Sequence, residues 1–306
     1  MPNSNQHHNM KRVIVILGPT ASGKTDLAIA VATKYASPVL SADSRQLYKG
    51  MRIGTAAPAE SDMKGVKHYF VGCLELTDYY SAALYEEHFL KLADDLFRTH
   101  DTLVMCGGSM MYIDTVCDGI DEIPTVSDEV RRRTTDDFAK YGLEAMCEEL
   151  RRCDPTLYST IDLKNHKRVV HAVEICRMTG RPFSELRTNR RKKRPFEIVK
   201  IGLTLPREEL FERIAKRTDK MIADGLVEEA RGLYRYRTEN ALNTVGYKEI
   251  FNYIDGKYPL ETAIEKIKRN TRVYAKKQIT WFKRDERIKW FSPHDRREIF
   301  NYLEAI

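Results

Sequence analysis

Eight consecutive residues, Gly18-Pro19-Thr20-Ala21-Ser22-Gly23-Lys24-Thr25, satisfy the pattern G-x-x-x-x-G-K-[ST]. The chemistry of such a stretch is to hold a di- or triphosphate. A glycine-rich turn points successive backbone N–H groups at one spot, and the helix that follows aims its positive end at the same place. Lys24 adds a point charge, and Thr25 adds a hydroxyl suited to Mg²⁺. A second chemical candidate is Asp43, in Ala42-Asp43-Ser44-Arg45-Gln46-Leu47-Tyr48. It stands as a general base or metal ligand, or as an N-cap for a short helix running on from Ser44; the roles are compatible. Arg213 and Arg217 lie four apart, on one face of a helix. They either close over phosphates as a lid or pair with Glu209 and Glu212. Ser109, after Gly107-Gly108, is placed to donate to a phosphate oxygen, with a purely structural turn as the alternative.

These residues need a scaffold that brings distant segments to one edge. The apolar run Val13 to Leu17 precedes the phosphate loop, and an amphipathic segment, Asp26 to Lys34, follows it. Strand candidates recur at 37–41, 102–106 and 197–203, with an amphipathic helix between Tyr80 and Arg98. Strands alternating with helices imply a P-loop NTPase-like α/β fold, a parallel sheet flanked by helices, whose ligands sit at the carboxyl ends of the strands. Asp43 and Ser109 both follow such ends. The third strand candidate ends in Gly107-Gly108 where many nucleotide hydrolases carry a Mg²⁺-holding aspartate. Glycine there lets a ligand or another backbone approach closely.

The strand pattern stops between about 121 and 187, where the chain reads as helices over 127–141, 143–152 and 165–179. The expected organisation is therefore a disordered tail at 1–10, an α/β core at 11–120 and 195–306, and an all-helical insertion at 121–194. A basic run from Arg187 to Arg194 reads either as a solvated loop or as a phosphate contact. The helix from Leu260 to about Lys283 interleaves cations with Thr271, Tyr274, Gln278, Thr280, Trp281 and Phe282, and this favours a polynucleotide surface over a solvated face.

With 306 residues, 42% hydrophobic and 31% charged, the chain can bury a full core. The net charge of +7 is a weak pointer to a polyanionic partner. Six scattered cysteines without a C-x-x-C pair read as buried free thiols of a reducing compartment. The first ten residues lack a signal or transit pattern, and no run reaches membrane-span length, so a cytoplasmic protein is expected. His7-His8 in the tail has no evident role.

Several stretches taken together resemble the tRNA dimethylallyltransferases, also called tRNA isopentenyltransferases: GPTASGKT at 18–25, SADSRQLYKGMRIGTAAP at 41–58, GGSMMYIDTVCDGI at 107–120, VGYKE at 245–249 and AKKQITWFKR at 275–284. The resemblance runs in order from about Arg12 to Arg284. It implies transfer of a dimethylallyl group from dimethylallyl diphosphate to the exocyclic N6 of the adenosine immediately 3′ of the anticodon in a tRNA anticodon stem-loop, by a monomer that uses Mg²⁺. It assigns the diphosphate to residues 18–25 and Arg217, with Thr25 contributing to the metal, and proton acceptance from N6 to Asp43. Asp43, Arg217 and Ser109, the last between the two substrates, form the implied catalytic set. The implied tRNA contacts are Asp43, Ser44, Arg45, Gln46, Ser109, Arg131, Lys167, Arg168, His171, Val245, Gly246, Lys276, Lys277, Gln278, Thr280, Trp281 and Lys283.

Two departures from the family pattern stand out. Serine occupies position 109 where threonine is usual, keeping the hydroxyl; His166 and His171 replace the usual acid and arginine in the stretch 165–175. The zinc-finger extension of some eukaryotic relatives is not among these residues. Competing readings are a small-metabolite kinase, which leaves the basic aromatic helix unexplained, and a nucleic-acid-binding ATPase, which would carry an acidic strand end at 107–108. A third is an adenylate isopentenyltransferase, which would need neither the insertion nor that helix.

Overall fold

The structure, a computed structural model, describes residues 11–121, 123–188 and 190–306. The tail at 1–10, expected to be disordered and including His7-His8, lies outside the described residues. The chain divides into two units, one of residues up to 117 and from 193 onward, the other of residues 118–192. The boundaries thus fall close to the expected 121 and 194.

In the first unit, β1 (Arg12–Leu17) leads through the phosphate loop into α1 (Lys24–Lys34), then β2 (Val39–Ala42) and the two-residue β3 (His68–Tyr69). Helix α2 (Ala82–Leu96) begins where the Ser81 hydroxyl accepts from the Leu84 N–H, and β4 (Thr102–Gly107) and α3 (Met110–Asp118) follow. The second unit holds α4 (Asp128–Cys153), α5 (Pro155–Tyr158), α6 (His166–Thr179) and α7 (Phe183–Leu186). The chain then returns through β5 (Glu197–Leu203), α8 (Arg207–Ala223), α9 (Leu226–Leu233), α10 (Tyr247–Ile254), α11 (Leu260–Phe282), β6 (Ile288–Phe291) and α12 (Arg296–Glu304).

All paired strands run parallel, in the order β3-β2-β4-β1-β5-β6. Val13 to Leu17 on β1 are fully buried because helices cover both faces of the sheet, so the strand reads as a continuous apolar run rather than an alternating one. Gly107 is forced by this arrangement: a Cβ there would lie 2.2 Å from the Ala42 carbonyl oxygen of the adjoining strand. The close neighbour of Gly107 is therefore backbone, whereas a Cβ on Gly108 would lie 2.4 Å from the Gln278 side-chain amide. Several elements escaped the sequence reading: β3, too short to show a period, the helices α3, α5, α7 and α10, and α12 near the carboxyl end.

The helical unit has its own core of Met146, Leu150, Val169, Ala172, Val173 and Phe183, and Arg177 of α6 bridges Glu149 and Asp137 of α4. Within α4 the helix breaks at Gly142, φ 75°, so the expected division between 127–141 and 143–152 is real, although one element spans both. Asp154, fully buried, caps α5 through the Leu157 N–H and also accepts from the backbone and hydroxyl of Ser184. The basic run is corrected at its end. Arg194 is neither solvated nor a free phosphate ligand but a buried clamp in the first unit, bonded to Glu86 and to the carbonyls of Thr115 and Val116.

Candidate active site

The carboxyl ends of β1, β2 and β4 deliver three segments to one edge of the sheet. At the end of β1 the loop 18–23 turns into α1; the Thr20 N–H donates to the side-chain oxygen of Gln278 at 2.9 Å, and Lys24 Nζ donates to the Pro19 carbonyl at 2.5 Å. Burial lowers the Lys24 pKa to about 8 and outweighs the pull of Asp43 in the other direction. The Ser22 hydroxyl is buried and takes no hydrogen bond among the described residues. Neither group is satisfied by the protein alone.

At the end of β2, Asp43 Oδ1 accepts from the N–H groups of Arg45 (2.9 Å) and Gln46 (3.3 Å), capping a tight turn rather than a helix. Oδ2 is left without a protein hydrogen bond among the described residues. At the end of β4, the Ser109 hydroxyl accepts from the Ser44 N–H at 2.8 Å and reaches the Ser44 hydroxyl at 3.1 Å. Its hydrogen bonds thus tie the two strand ends together, the structural role weighed beside a phosphate contact, and it also lines the cavity described below.

Arg213 and Arg217 part company. Arg213 pairs with Glu209, which also contacts His294, as the bland alternative foresaw. Arg217 has no ion pair among the described residues; its guanidinium donates only to the Thr55 carbonyl, at 3.3 Å, and burial lowers its pKa. It lines two openings at once. One is a cavity of about 510 Å³ bounded by Thr20, Asp43, Ser44, Arg45, Thr55, Ser109, Arg217, Val245, Gly246 and Lys277, with Ile214, Met221 and Ile267 on its apolar side. The other is a groove of about 410 Å³ formed by Ala21, Gly23, Lys24, Thr25, Arg213, Lys216 and Arg217.

The remaining candidates are dispersed. Gln46 donates to the carbonyls of Thr55 and Ala56, and Arg45 to those of Asn240 and Ala241. Gln278 requires correction: it is 2% exposed, and its amide joins Thr20 to the Gly108 carbonyl, so it is a strut under the phosphate loop and not a surface contact. Trp281 spends its indole N–H on Asp114 at 2.7 Å. Lys276, Lys277, Thr280 and Lys283 are exposed along α11, with Lys276 over the Phe211 ring. In the helical unit Arg131, Lys167, Arg168 and His171 are exposed, and His171 faces Glu174. Cys73 is exposed, contrary to the expected burial, and all six cysteines are free. Among the described residues no helix is long and apolar enough to cross a membrane. Sequence reasoning missed the Thr55 carbonyl, since a backbone acceptor leaves no residue-type signature.

A family model described as IPP transferase matches residues 46–285. The chain belongs to the tRNA dimethylallyltransferase family. It is 52% identical to tRNA dimethylallyltransferase 1 of Bacteroides fragilis, over 96% of this chain and 98% of that protein. It is 55% identical to tRNA dimethylallyltransferase 2 of Parabacteroides distasonis over the same shares. Among solved structures, the full-length tRNA isopentenylpyrophosphate transferase of Bacillus halodurans superposes with a TM-score of 0.71 at 31% identity, covering 96% of each chain. A eukaryotic dimethylallyltransferase acting on tRNA gives a TM-score of 0.77 at 27% identity, covering 89% of this chain and 69% of that one. The relatives are named for transfer of dimethylallyl or isopentenyl groups to tRNA, not of phosphoryl groups, which removes the kinase and ATPase readings.

Proposed function

We propose that the chain moves a dimethylallyl group from dimethylallyl diphosphate to N6 of the adenosine 3′ of a tRNA anticodon, with the loop 18–25 and Arg217 holding the diphosphate and Asp43 accepting the proton. Transfer of a dimethylallyl group to tRNA is the activity of the family to which the chain belongs. The observation that carries the assignment of roles is the position of Arg217, shared by the groove with Lys24 and Thr25 and the cavity with Asp43. A leaving group in the groove and an acceptor in the cavity would meet there.

The chemistry fits those surroundings. An exocyclic adenine amine is a weak nucleophile, because its lone pair is delocalised into the ring; removing its proton as the C–N bond forms is worth about 10²- to 10⁴-fold. Asp43 Oδ2 is free to take that proton, while Oδ1 fixes the carboxylate to the turn. The allylic C–O bond breaks as charge gathers on the diphosphate, and loop N–H groups, Lys24 and Arg217 supply fixed positive charge there. Partly buried cations with no carboxylate partner cost no competing ion pair when that anion binds. Ile214, Met221 and Ile267 give the five-carbon group an apolar wall.

Mg²⁺ belongs to this proposal. Among the described residues no cluster of three His, Cys, Asp or Glu is placed to hold a metal. The exposed Thr25 hydroxyl on the first turn of α1 suits Mg²⁺, which keeps water ligands and binds chiefly through substrate phosphates. When bound, it would add positive charge to the leaving diphosphate. The tRNA surface is assigned to the exposed cations of α11 and of the helical unit. We read the enzyme as a cytoplasmic monomer; the six free thiols suit a reducing compartment.

Incubation with labelled dimethylallyl diphosphate and either tRNA or AMP tests the reading. Label should enter tRNA alone; label in AMP alone, or in neither acceptor, would overturn it. Asp43→Ala should abolish transfer and leave tRNA affinity within about twofold, because the general base acts on the reacting proton and not on the docked stem-loop.

A further inference from the structure

The loop after the Asp43 turn, 51–57, carries the only acceptor among the described residues that holds Arg217, the Thr55 carbonyl. This loop belongs to no helix or strand, so something else must fix it. Gln46 holds the Thr55 and Ala56 carbonyls, and a single carboxylate holds the three N–H groups that precede them. Glu229, in the first turn of α9, accepts from the N–H groups of Arg52 (3.0 Å) and Ile53 (2.8 Å) on Oε2, and from the Gly54 N–H (2.9 Å) on Oε1. Three successive backbone donors converging on one anion form the kind of concavity that elsewhere binds phosphate. The fourth donor is the Tyr247 hydroxyl, at 2.6 Å from Oε1.

Tyr247 is fully buried and lies against the backbone of the same loop: a Cβ on Gly54 would come within 2.5 Å of its ring. It also follows Val245 and Gly246, which line the same cavity as Gly54 and Thr55. Glu229 is not among the cavity residues. It touches neither opening, yet it is bonded to one segment that lines the cavity, 52–54, and to Tyr247, which follows another.

We infer that Glu229, acting with Tyr247, is a positioning residue for the transfer reaction: it fixes the loop 52–55 so that the Thr55 carbonyl aims the unpaired Arg217 guanidinium at the diphosphate. The inference rests on the assignment of Arg217 to the diphosphate made above. Its physical content is a relay of hydrogen bonds. The carboxylate holds three N–H groups, the loop they belong to presents one carbonyl, and that carbonyl orients a cation that has no other partner among the described residues. Glutamine at 229 would turn an NH₂ toward at least one N–H donor, so a shape-conserving change still breaks the relay.

The test is inhibition of transfer by inorganic pyrophosphate, together with KM for dimethylallyl diphosphate and kcat, in Glu229→Gln, Glu229→Asp, Tyr247→Phe and Arg217→Ala proteins and in the Glu229→Gln/Arg217→Ala double variant. Glu229→Gln should weaken pyrophosphate and raise the donor KM by about tenfold, the scale of one displaced charge-assisted hydrogen bond, with tRNA affinity within about twofold. Glu229→Asp, which keeps the charge, should recover part of the loss. In the Arg217→Ala background Glu229→Gln should add nothing further, since the residue it positions is gone. Full additivity of the two changes, or unchanged pyrophosphate inhibition in Glu229→Gln alongside a weakened Arg217→Ala, would overturn the inference. Unchanged inhibition in Arg217→Ala would instead remove its premise, and the inference with it. If Glu229→Gln does not fold by circular dichroism, Tyr247→Phe decides: it keeps the buried ring and removes one donor, and an effect of about two- to fivefold on pyrophosphate is expected, with no effect counting against the inference.

Discussion

Two lysines of the α/β unit, Lys200 in the core and the partly buried Lys24 at the phosphate loop, are treated in opposite ways. Lys200 on β5 is 3% exposed and meets Asp285 at 2.6 Å. Burial by itself would raise the Asp285 carboxyl, yet hydrogen bonds from Arg287 and Lys200 hold it well below the ordinary carboxylate range. Lys24, at the opening of α1, has no such partner among the described residues; it leans on the Pro19 carbonyl, and burial lowers its pKa to about 8. Arg213 and Arg217 repeat the contrast on α8, one paired with Glu209 and the other held only by a carbonyl. The protein pairs a cation with a carboxylate where the charge holds the fold together and leaves it uncompensated where an anion is to bind. Unpaired burial is a cost to folding that the diphosphate would remove.

Changing the two lysines to the same apolar residue should therefore separate stability from activity. Lys200→Met leaves Asp285 with Arg287 alone and should destabilise the fold by about 3–5 kcal/mol, the range for breaking a buried pair, as read from chemical denaturation. Lys24→Met should leave denaturation midpoints unchanged or raise them, and lower transfer by about 10²- to 10³-fold, the scale seen when one fixed stabiliser of developing negative charge is lost. Equal destabilisation by both substitutions would break the comparison. The next effect is smaller and distinguishes buried from exposed charge. Replacing Lys276, Lys277 and Lys283 together by alanine should leave pyrophosphate inhibition intact but flatten the dependence of log tRNA affinity on log salt by about 0.7–0.9 per lysine, because only the exposed cations release counterions from RNA. An unchanged slope would remove α11 from the tRNA surface.

The features legible in the sequence are those that repeat or cluster locally. The order of β1, the phosphate loop and α1 follows from an apolar run, a glycine pattern and an amphipathic segment in immediate succession, and β5 falls on the expected 197–203. Asp43 and Ser109 were found because parallel sheets place chemistry at strand ends. The hydrogen bonds that set these residues were not legible. Gln278 has the same letters as an RNA-contacting glutamine, but its burial beneath the phosphate loop depends on how α11 packs, more than two hundred residues away in sequence. Glu229 looked like one more acidic residue at the start of a short helix, since its partners are backbone N–H groups. Arg213 and Arg217 share a helical face, and only tertiary contacts show which of them is already paired.

The smallest expected effect concerns pH, and it follows from the same uncompensated lysine. An ordinary lysine binds its proton up to about 10.5, whereas Lys24 in the folded protein releases it near 8. Between those values the unfolded chain binds more protons at this position than the folded one, so this group makes stability rise with pH. Below about pH 8 the cost of burying the charged form is fully present, and it is relieved progressively as pH rises toward 10.5. Urea denaturation at pH 7.5 and pH 9.5, with Lys24→Met as the reference to cancel every other titrating group, isolates this contribution. The wild-type protein should gain stability relative to Lys24→Met between the two pH values. Saturating pyrophosphate should erase that gain, because a bound anion favours the charged lysine and restores its pKa. A gain that persists in the presence of pyrophosphate would place the anion away from Lys24.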